Sequence, residues 1–152
     1  MTRRYDQSNR YKARVAIFAL AVLIALYGIA SRTPEQAEEA EVRTFVDDFL
    51  KARLSRDHTA VRTYLSNKLH GELADANPTF LIGSSIPHYH AFRIESITPG
   101  GKDVWRARVI LSEEMPGQGE IGWFQEELVV ARVGSDLRID EIHRGAYQYG
   151  AP

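Results

Sequence analysis

The sequence predicts an α+β domain carried behind a single transmembrane helix. Three observations carry this reading. Val15–Ala30 is an uncharged, almost wholly apolar run. From Pro34 the apolar residues recur every three or four positions, the period of a helix with one buried face. From His90 the period changes to two, the alternation of half-buried strands, with Gly- and Pro-containing turns between the runs. Helices segregated from an antiparallel meander define the α+β class.

The apolar run comes first in the chain. At the helical rise it spans about 24 Å, somewhat short of a hydrocarbon core of about 30 Å. Ala13 and Ser31 extend it to residues 13–31, Arg14 snorkels its charge toward the headgroups, and Tyr27 suits the far interface. Arg3, Arg4, Arg10, Lys12 and Arg14 lead into the run, and Glu35, Glu38, Glu39 and Glu41 follow it. That asymmetry predicts a basic cytoplasmic tail over residues 1–12, a cell-membrane location and an extracytoplasmic C-terminal domain. A cleaved signal peptide is the alternative, because Gly28-Ile29-Ala30 offers small residues at the spacing of a cleavage site. The run exceeds the usual h-region of about 7–15 residues, which favours a retained anchor.

Charge divides along the same line. Residues 1–32 hold six Lys/Arg and one Asp, a formal +5; the whole chain is −1, so residues 33–152 carry −6. A mildly acidic exported part lacks the broad basic surface of a nucleic-acid binder. With no cysteine in the chain, disulfides, cysteine-ligated zinc and thiol catalysis are excluded. Asn77-Pro78-Thr79 is no glycosylation acceptor, because proline occupies the middle position.

Thr33-Pro34-Glu35-Gln36 starts the first exported helix, with an N-cap threonine, a proline at the first helical position and a glutamine at the third. The spacing of Val42, Phe45, Val46, Phe49, Leu50 and Leu54 predicts a helix from about Pro34 to Arg53, with Asp47, Asp48, Lys51 and Arg53 on its other faces. Ser55-Arg56-Asp57 breaks it. Asp57 caps a second helix bearing Ala60, Val61, Tyr64 and Leu65, and Ser66 caps a third that turns Leu69 and Leu73 inward. Asn77-Pro78, Gly83-Ser84-Ser85 and Ile86-Pro87 punctuate a loop whose Phe80, Leu81 and Ile82 plug the edge of the core.

Four strands follow. His90–Ile97 is the first, ended by Pro99-Gly100-Gly101. Val104–Ser112 is the second, with Trp105, Ala107, Val109 and Leu111 on one face and Arg106 and Arg108 on the other. After the Met115–Gly119 turn a long strand runs from about Gly122 to Val133, Gly134-Ser135 makes a hairpin, and Leu137–His143 is the last strand. Residues 146–152 read as an irregular tail. The domain therefore spans residues 34–145, with helices packed on a curved antiparallel four-stranded sheet.

Val42, Phe45, Val46, Phe49, Leu50 and Ala52, then Ser55-Arg56-Asp57, then Ala60, Val61, Tyr64, Leu65 and Ser66 form a pattern that resembles the nuclear transport factor 2-like superfamily. That superfamily includes ketosteroid isomerase-like and cystatin-like cone folds. Its final strands often read like Ile139-Asp140-Glu141-Ile142. The resemblance departs at Arg56, where the family usually has glycine, so a turn of different shape is expected there. A basic tail, one membrane helix and such a domain also resemble the periplasmic core subunit of type IV secretion systems, lipid-import accessory proteins of actinobacteria, and exported sporulation or anti-sigma-related proteins. The resemblance implies a binding or scaffold role with a protein partner in the bacterial cell envelope, with a small ligand as a further possibility.

No motif demands catalysis. His88 and His90, at i and i+2, can share a metal completed by Glu126, Glu127, Asp140 or His143, but nothing fixes the remaining ligands, and two surface imidazoles are the plainer reading. The glycine pairs open no helix after a strand, so they are hairpin turns and not phosphate cradles. Tyr89, Trp105, Trp123, Glu127, Asp140 and His143 are the residues expected to line a ligand or partner pocket. An acid–base enzyme of ketosteroid isomerase-like type is the alternative, using a pocket carboxylate beside Tyr or His. No catalytic residue, metal or cofactor is assigned. Gly122-Trp123-Phe124 turns consecutive rings to opposite faces, which leaves one for an interface at the sheet rim.

Overall fold

The structure, a computed structural model, describes residues 33–74, 79–83 and 86–152. The expected tail, membrane segment and cleavage site lie outside these residues. So do Asn77-Pro78 and Ser84-Ser85. Among the described residues no helix is long and apolar enough to cross a membrane.

The architecture is α+β. Helices α1 (Pro34–Leu54), α2 (His58–Thr63), α3 (Asn67–Ala74) and the single turn α4 (Thr79–Ile82) precede strands β1 (His88–Gly101), β2 (Val104–Met115), β3 (Gly119–Val133) and β4 (Asp136–Tyr149). The strands form one antiparallel sheet in the order β1-β2-β3-β4. Short hairpins force neighbours in sequence to be neighbours in the sheet.

Local chemistry starts and stops the helices as the sequence predicts. The Thr33 hydroxyl accepts from the Gln36 amide at 3.3 Å, and the Gln36 side chain accepts from the Thr33 amide at 3.1 Å, a reciprocal capping box. Asp57 accepts from the Ala60 amide at 2.9 Å, and the Ser66 hydroxyl accepts from the Leu69 amide at 3.1 Å. The turn at Arg56 corrects the sequence reading. Arg56 adopts the left-handed conformation itself, with φ 59°, so the turn keeps the shape a glycine would give it. The tertiary positions of α1 and α2 outweigh the local steric penalty.

The unit Glu39–Pro152 has one core. Val42, Val46, Phe49 and Leu50 of α1 meet Ala107, Val109 and Leu111 of β2, Leu128 and Val130 of β3 and Ile139 of β4. Alternation therefore gives the sheet an inner face against α1 and an outer face. The α2–α3 turn is pinned to β4: the Ser66 amide donates to the Ile139 carbonyl and the Ile139 amide to the Tyr64 carbonyl, each at 2.8 Å.

Several boundaries differ from the sequence reading, among them β1 starting at His88, β2 ending at Met115 and β3 starting at Gly119. Phe80–Ile82 lies in a helical turn, and Leu81 and Ile82 are buried as expected of a plug. Pro99 and Gly100 stay within β1, where an edge strand tolerates a missing amide donor. β4 does not end at His143 but continues to Tyr149, because Tyr147 and Gln148 pair with Phe124 and Trp123. A bulge makes this possible: Gly145 and Ala146 stand opposite the single Gln125 and return Tyr147 to the inner face.

Candidate functional site

Three charged side chains meet on the inner face between α1 and the sheet. Arg53 follows Val42, Val46 and Phe49 at helical spacing, so it occupies the next slot of the buried stripe and is fully buried. This overturns its expected placement on another face of α1. Glu126 stands between Phe124 and Leu128 in the inward register of β3 and is also fully buried. Arg144 follows Ile142 by two residues in β4 and pairs directly with Glu126.

The geometry is that of a shared carboxylate. Arg53 reaches Glu126 through Nη1 at 2.5 Å and Nη2 at 3.2 Å, and Arg144 Nε donates to the same carboxylate at 2.8 Å. Burial opposes the charge on Glu126, but the two guanidinium groups outweigh it and hold the carboxyl below the usual carboxylate range. Burial likewise opposes the charge on Arg53, and the attraction of Glu126 overcomes it. Glu126 is thus held as an ion by three charge-assisted hydrogen bonds, which makes it a poor proton donor or acceptor.

The arginines also reach the chain that crosses the inner face. Arg53 Nε donates to the Leu81 carbonyl at 2.5 Å, and Arg144 Nη2 donates to the Phe80 carbonyl at 2.6 Å. Arg144 Nη2 also donates to the Tyr89 hydroxyl at 2.9 Å. The Arg144 guanidinium lies between two rings, 4.4 Å from the centre of Phe80 and 4.3 Å from that of Phe124. Desolvation raises the Tyr89 phenol above its ordinary value despite both arginines, so it stays protonated at neutral pH.

An aromatic row leads outward from this cluster. Tyr89, Phe124, Tyr147 and Tyr149 follow one another with ring centres 5.7, 6.3 and 5.2 Å apart. The Tyr147 ring crosses Gly122, where a Cβ would lie 2.5 Å from the phenol oxygen and 2.4 Å from the Gln148 carbonyl. Glu113 faces Tyr147, and its carboxyl is pushed up by desolvation, which Arg144 only partly offsets. The Tyr147 hydroxyl is buried beside this carboxyl and favours its ionised form.

Of the six residues expected to line a pocket, Tyr89 alone joins the cluster. Trp105 faces inward but lies farther along the sheet, opposite Val130, with the Arg132 guanidinium 5.5 Å from its ring. Trp123 alternates with the buried Phe124 and turns to the outer face. Glu127 is on the outer face and pairs with Arg106. Asp140 stands 3.8 Å from Lys68, and His143 is 2.9 Å from Glu141. Glu127 and His143 line a shallow groove together with Arg108, Gln125, Arg144 and Gly145. One residue of register separates the outward Glu127 and His143 from the inward Glu126 and Arg144, which is why the expected constellation does not assemble.

His88 and His90 do converge, each 3.2 Å from Glu114. The extra residue at the β1 bulge sits here, and none of the four expected additional ligands reaches the pair. Among the described residues no group of three or more His, Asp or Glu is placed to hold a metal ion.

A signal was present for two of the three: Arg53 follows Val42, Val46 and Phe49 at helical spacing and Glu126 alternates between Phe124 and Leu128, whereas Arg144 lies beyond the expected end of the last strand. No family model, curated protein or solved structure matches the chain.

Proposed function

We propose that this chain is a single-pass membrane protein whose extracytoplasmic domain, of the nuclear transport factor 2-like cone type, is a non-catalytic binding or scaffold module of a cell-envelope complex. The membrane assignment rests on the uncharged run Val15–Ala30 and the basic residues before it. The observation that carries the non-catalytic part is the inner-face cluster. Its buried carboxylate is fixed in one protonation state by two arginines and is not poised near neutrality, where a general acid or base works best. The exposed Tyr149 at the end of the aromatic row supplies the kind of side chain that anchors a protein interface.

The chain has no cysteine, so single-cysteine reporters are unambiguous. In intact cells a membrane-impermeant maleimide labels the Lys102→Cys variant and spares Tyr5→Cys. A photocrosslinking residue at Tyr149 gives a discrete adduct in the membrane fraction, whereas one at Lys102 does not. Equal labelling of both cysteines overturns the topology, and the same adducts from both crosslinking positions overturn the interface.

A further inference from the structure

The Phe80 carbonyl oxygen faces three donors: Arg144 Nη2 at 2.6 Å, and Arg53 Nη2 and the Tyr89 hydroxyl at 3.4 Å each. Beside it the Leu81 carbonyl takes Arg53 Nε at 2.5 Å. An amide oxygen is neutral and has two lone pairs, whereas guanidinium groups bind ionised oxygens roughly twice as strongly as neutral ones. The two arginines share a single carboxylate, Glu126. Glu113, the other acid near Arg144, forms no ion pair with it among the described residues. Beyond Glu126, the two cations therefore turn to neutral oxygens, the Phe80 and Leu81 carbonyls and the Tyr89 hydroxyl, with Arg144 partly open to solvent.

We infer that Arg53, Arg144 and Tyr89 form a carboxylate receptor that the chain itself occupies through the Phe80 and Leu81 carbonyls. This deepens the reading of the domain as a binding module and rests on it, but does not depend on which envelope complex it serves. The occupant is replaceable because α4 is a single turn, too short to be stable by its own hydrogen bonds. It is held by Leu81 and Ile82 in the core and by these carbonyl contacts. The Phe80 ring against Arg144 defines the ligand class: a carboxylate two carbons from an aryl ring, which places its charge where the Phe80 carbonyl lies and its ring where the Phe80 ring lies.

The probe is 3-phenylpropionate, which reproduces the Phe80 side chain, Cα and carbonyl carbon with a carboxylate in place of the peptide group. Its control is 3-phenylpropionamide, which is neutral. Both are titrated calorimetrically into the full chain in lipid nanodiscs. The carboxylate binds saturably and about tenfold or more tighter than the amide, a difference that a charge-assisted contact supplies. Arg144→Gln brings the two probes to near parity, and Arg144→Lys restores part of the difference. Phe80→Ala weakens the internal occupant and tightens carboxylate binding several-fold. Carboxylate binding seen only in Phe80→Ala supports the inference, because it marks an occupant too tight to displace in the wild type.

The receptor is overturned if carboxylate and amide bind alike. It is also overturned if neither probe binds a Phe80→Ala chain whose circular dichroism is native. Self-occupancy is overturned if Phe80→Ala binds no tighter than the wild type. Each of these outcomes leaves the labelling and crosslinking results at Lys102, Tyr5 and Tyr149 to judge the wider function separately.

Discussion

Replacing Glu126 by glutamine keeps the shape of the side chain and removes its charge. The carboxylate accepts three charge-assisted hydrogen bonds, two from Arg53 and one from Arg144. A glutamine offers one acceptor oxygen and turns an NH2 donor toward a guanidinium donor, so at least one pair of donors is left facing each other. Arg53 keeps its full charge in a fully buried position with no carboxylate partner. Breaking a buried ion pair by removing one member typically costs about 3–5 kcal/mol. That is a large part of the roughly 5–15 kcal/mol that holds a domain of this size together.

The assay is urea unfolding of the full chain in nanodiscs, followed through Trp105 and Trp123, with the wild type and variant compared from pH 3 to 7. The sign of the pH dependence follows from Glu126, whose folded pKa lies below its unfolded one. Its stabilising contribution is complete above about pH 4.3 and is lost as pH falls through the folded value. The difference between wild type and Glu126→Gln therefore narrows as the solution is acidified below that point. A loss under about 1 kcal/mol at pH 7, with parallel curves down to pH 3, would refute the reasoning and place the charges in contact with water. Replacing Arg53 and Glu126 together by apolar residues of similar size removes the desolvation as well as the attraction, and is expected to be milder than Glu126→Gln alone.

Phe49→Ala removes a fully buried ring that touches Tyr64 and lies under Arg53, and it lowers the unfolding free energy by about 3–5 kcal/mol in the same urea assay. Arg56→Gly relieves a left-handed arginine at the α1–α2 turn and offsets that with greater freedom in the unfolded chain, so thermal unfolding shifts upward by the equivalent of less than about 1 kcal/mol. Gly122→Ala drives a Cβ to within 2.4 Å of the Gln148 carbonyl, and amide hydrogen exchange speeds up in the last residues of β4 before it does elsewhere in the strand. Glu113→Gln removes a charge whose carboxyl burial has pushed up, so the midpoint of unfolding at pH 7 rises, and the advantage over wild type fades as acid protonates Glu113 in both states.

Much of the fold was legible because its signals are local. Thr33, Asp57 and Ser66 name the helix starts by a bond to an amide three residues away, and the switch from a period near 3.6 to a period of two marks where helices give way to strands. The end of β4 was not legible. Arg144-Gly145-Ala146-Tyr147 breaks the alternation, and only the pairing of Tyr147 with Phe124 across a bulge shows that the strand continues. Little of the candidate site was legible. Tyr89 was identified, while Glu127 and His143 were one register step from the residues that form the cluster.

The sequence by itself determined an α+β chain with a charge-flanked apolar run, capped helices and a meander of strands, since each of these depends on residues within a turn or two of one another. It did not place Arg53, expected on another face of α1, or Arg144, beyond the expected end of the last strand, in inward slots; only the tertiary structure brought them there beside Glu126. A charge survives burial when an opposite charge stands within hydrogen-bond reach, and here the partners are separated by 73 and 18 residues. Periodicity records which way a side chain points, but not what it meets.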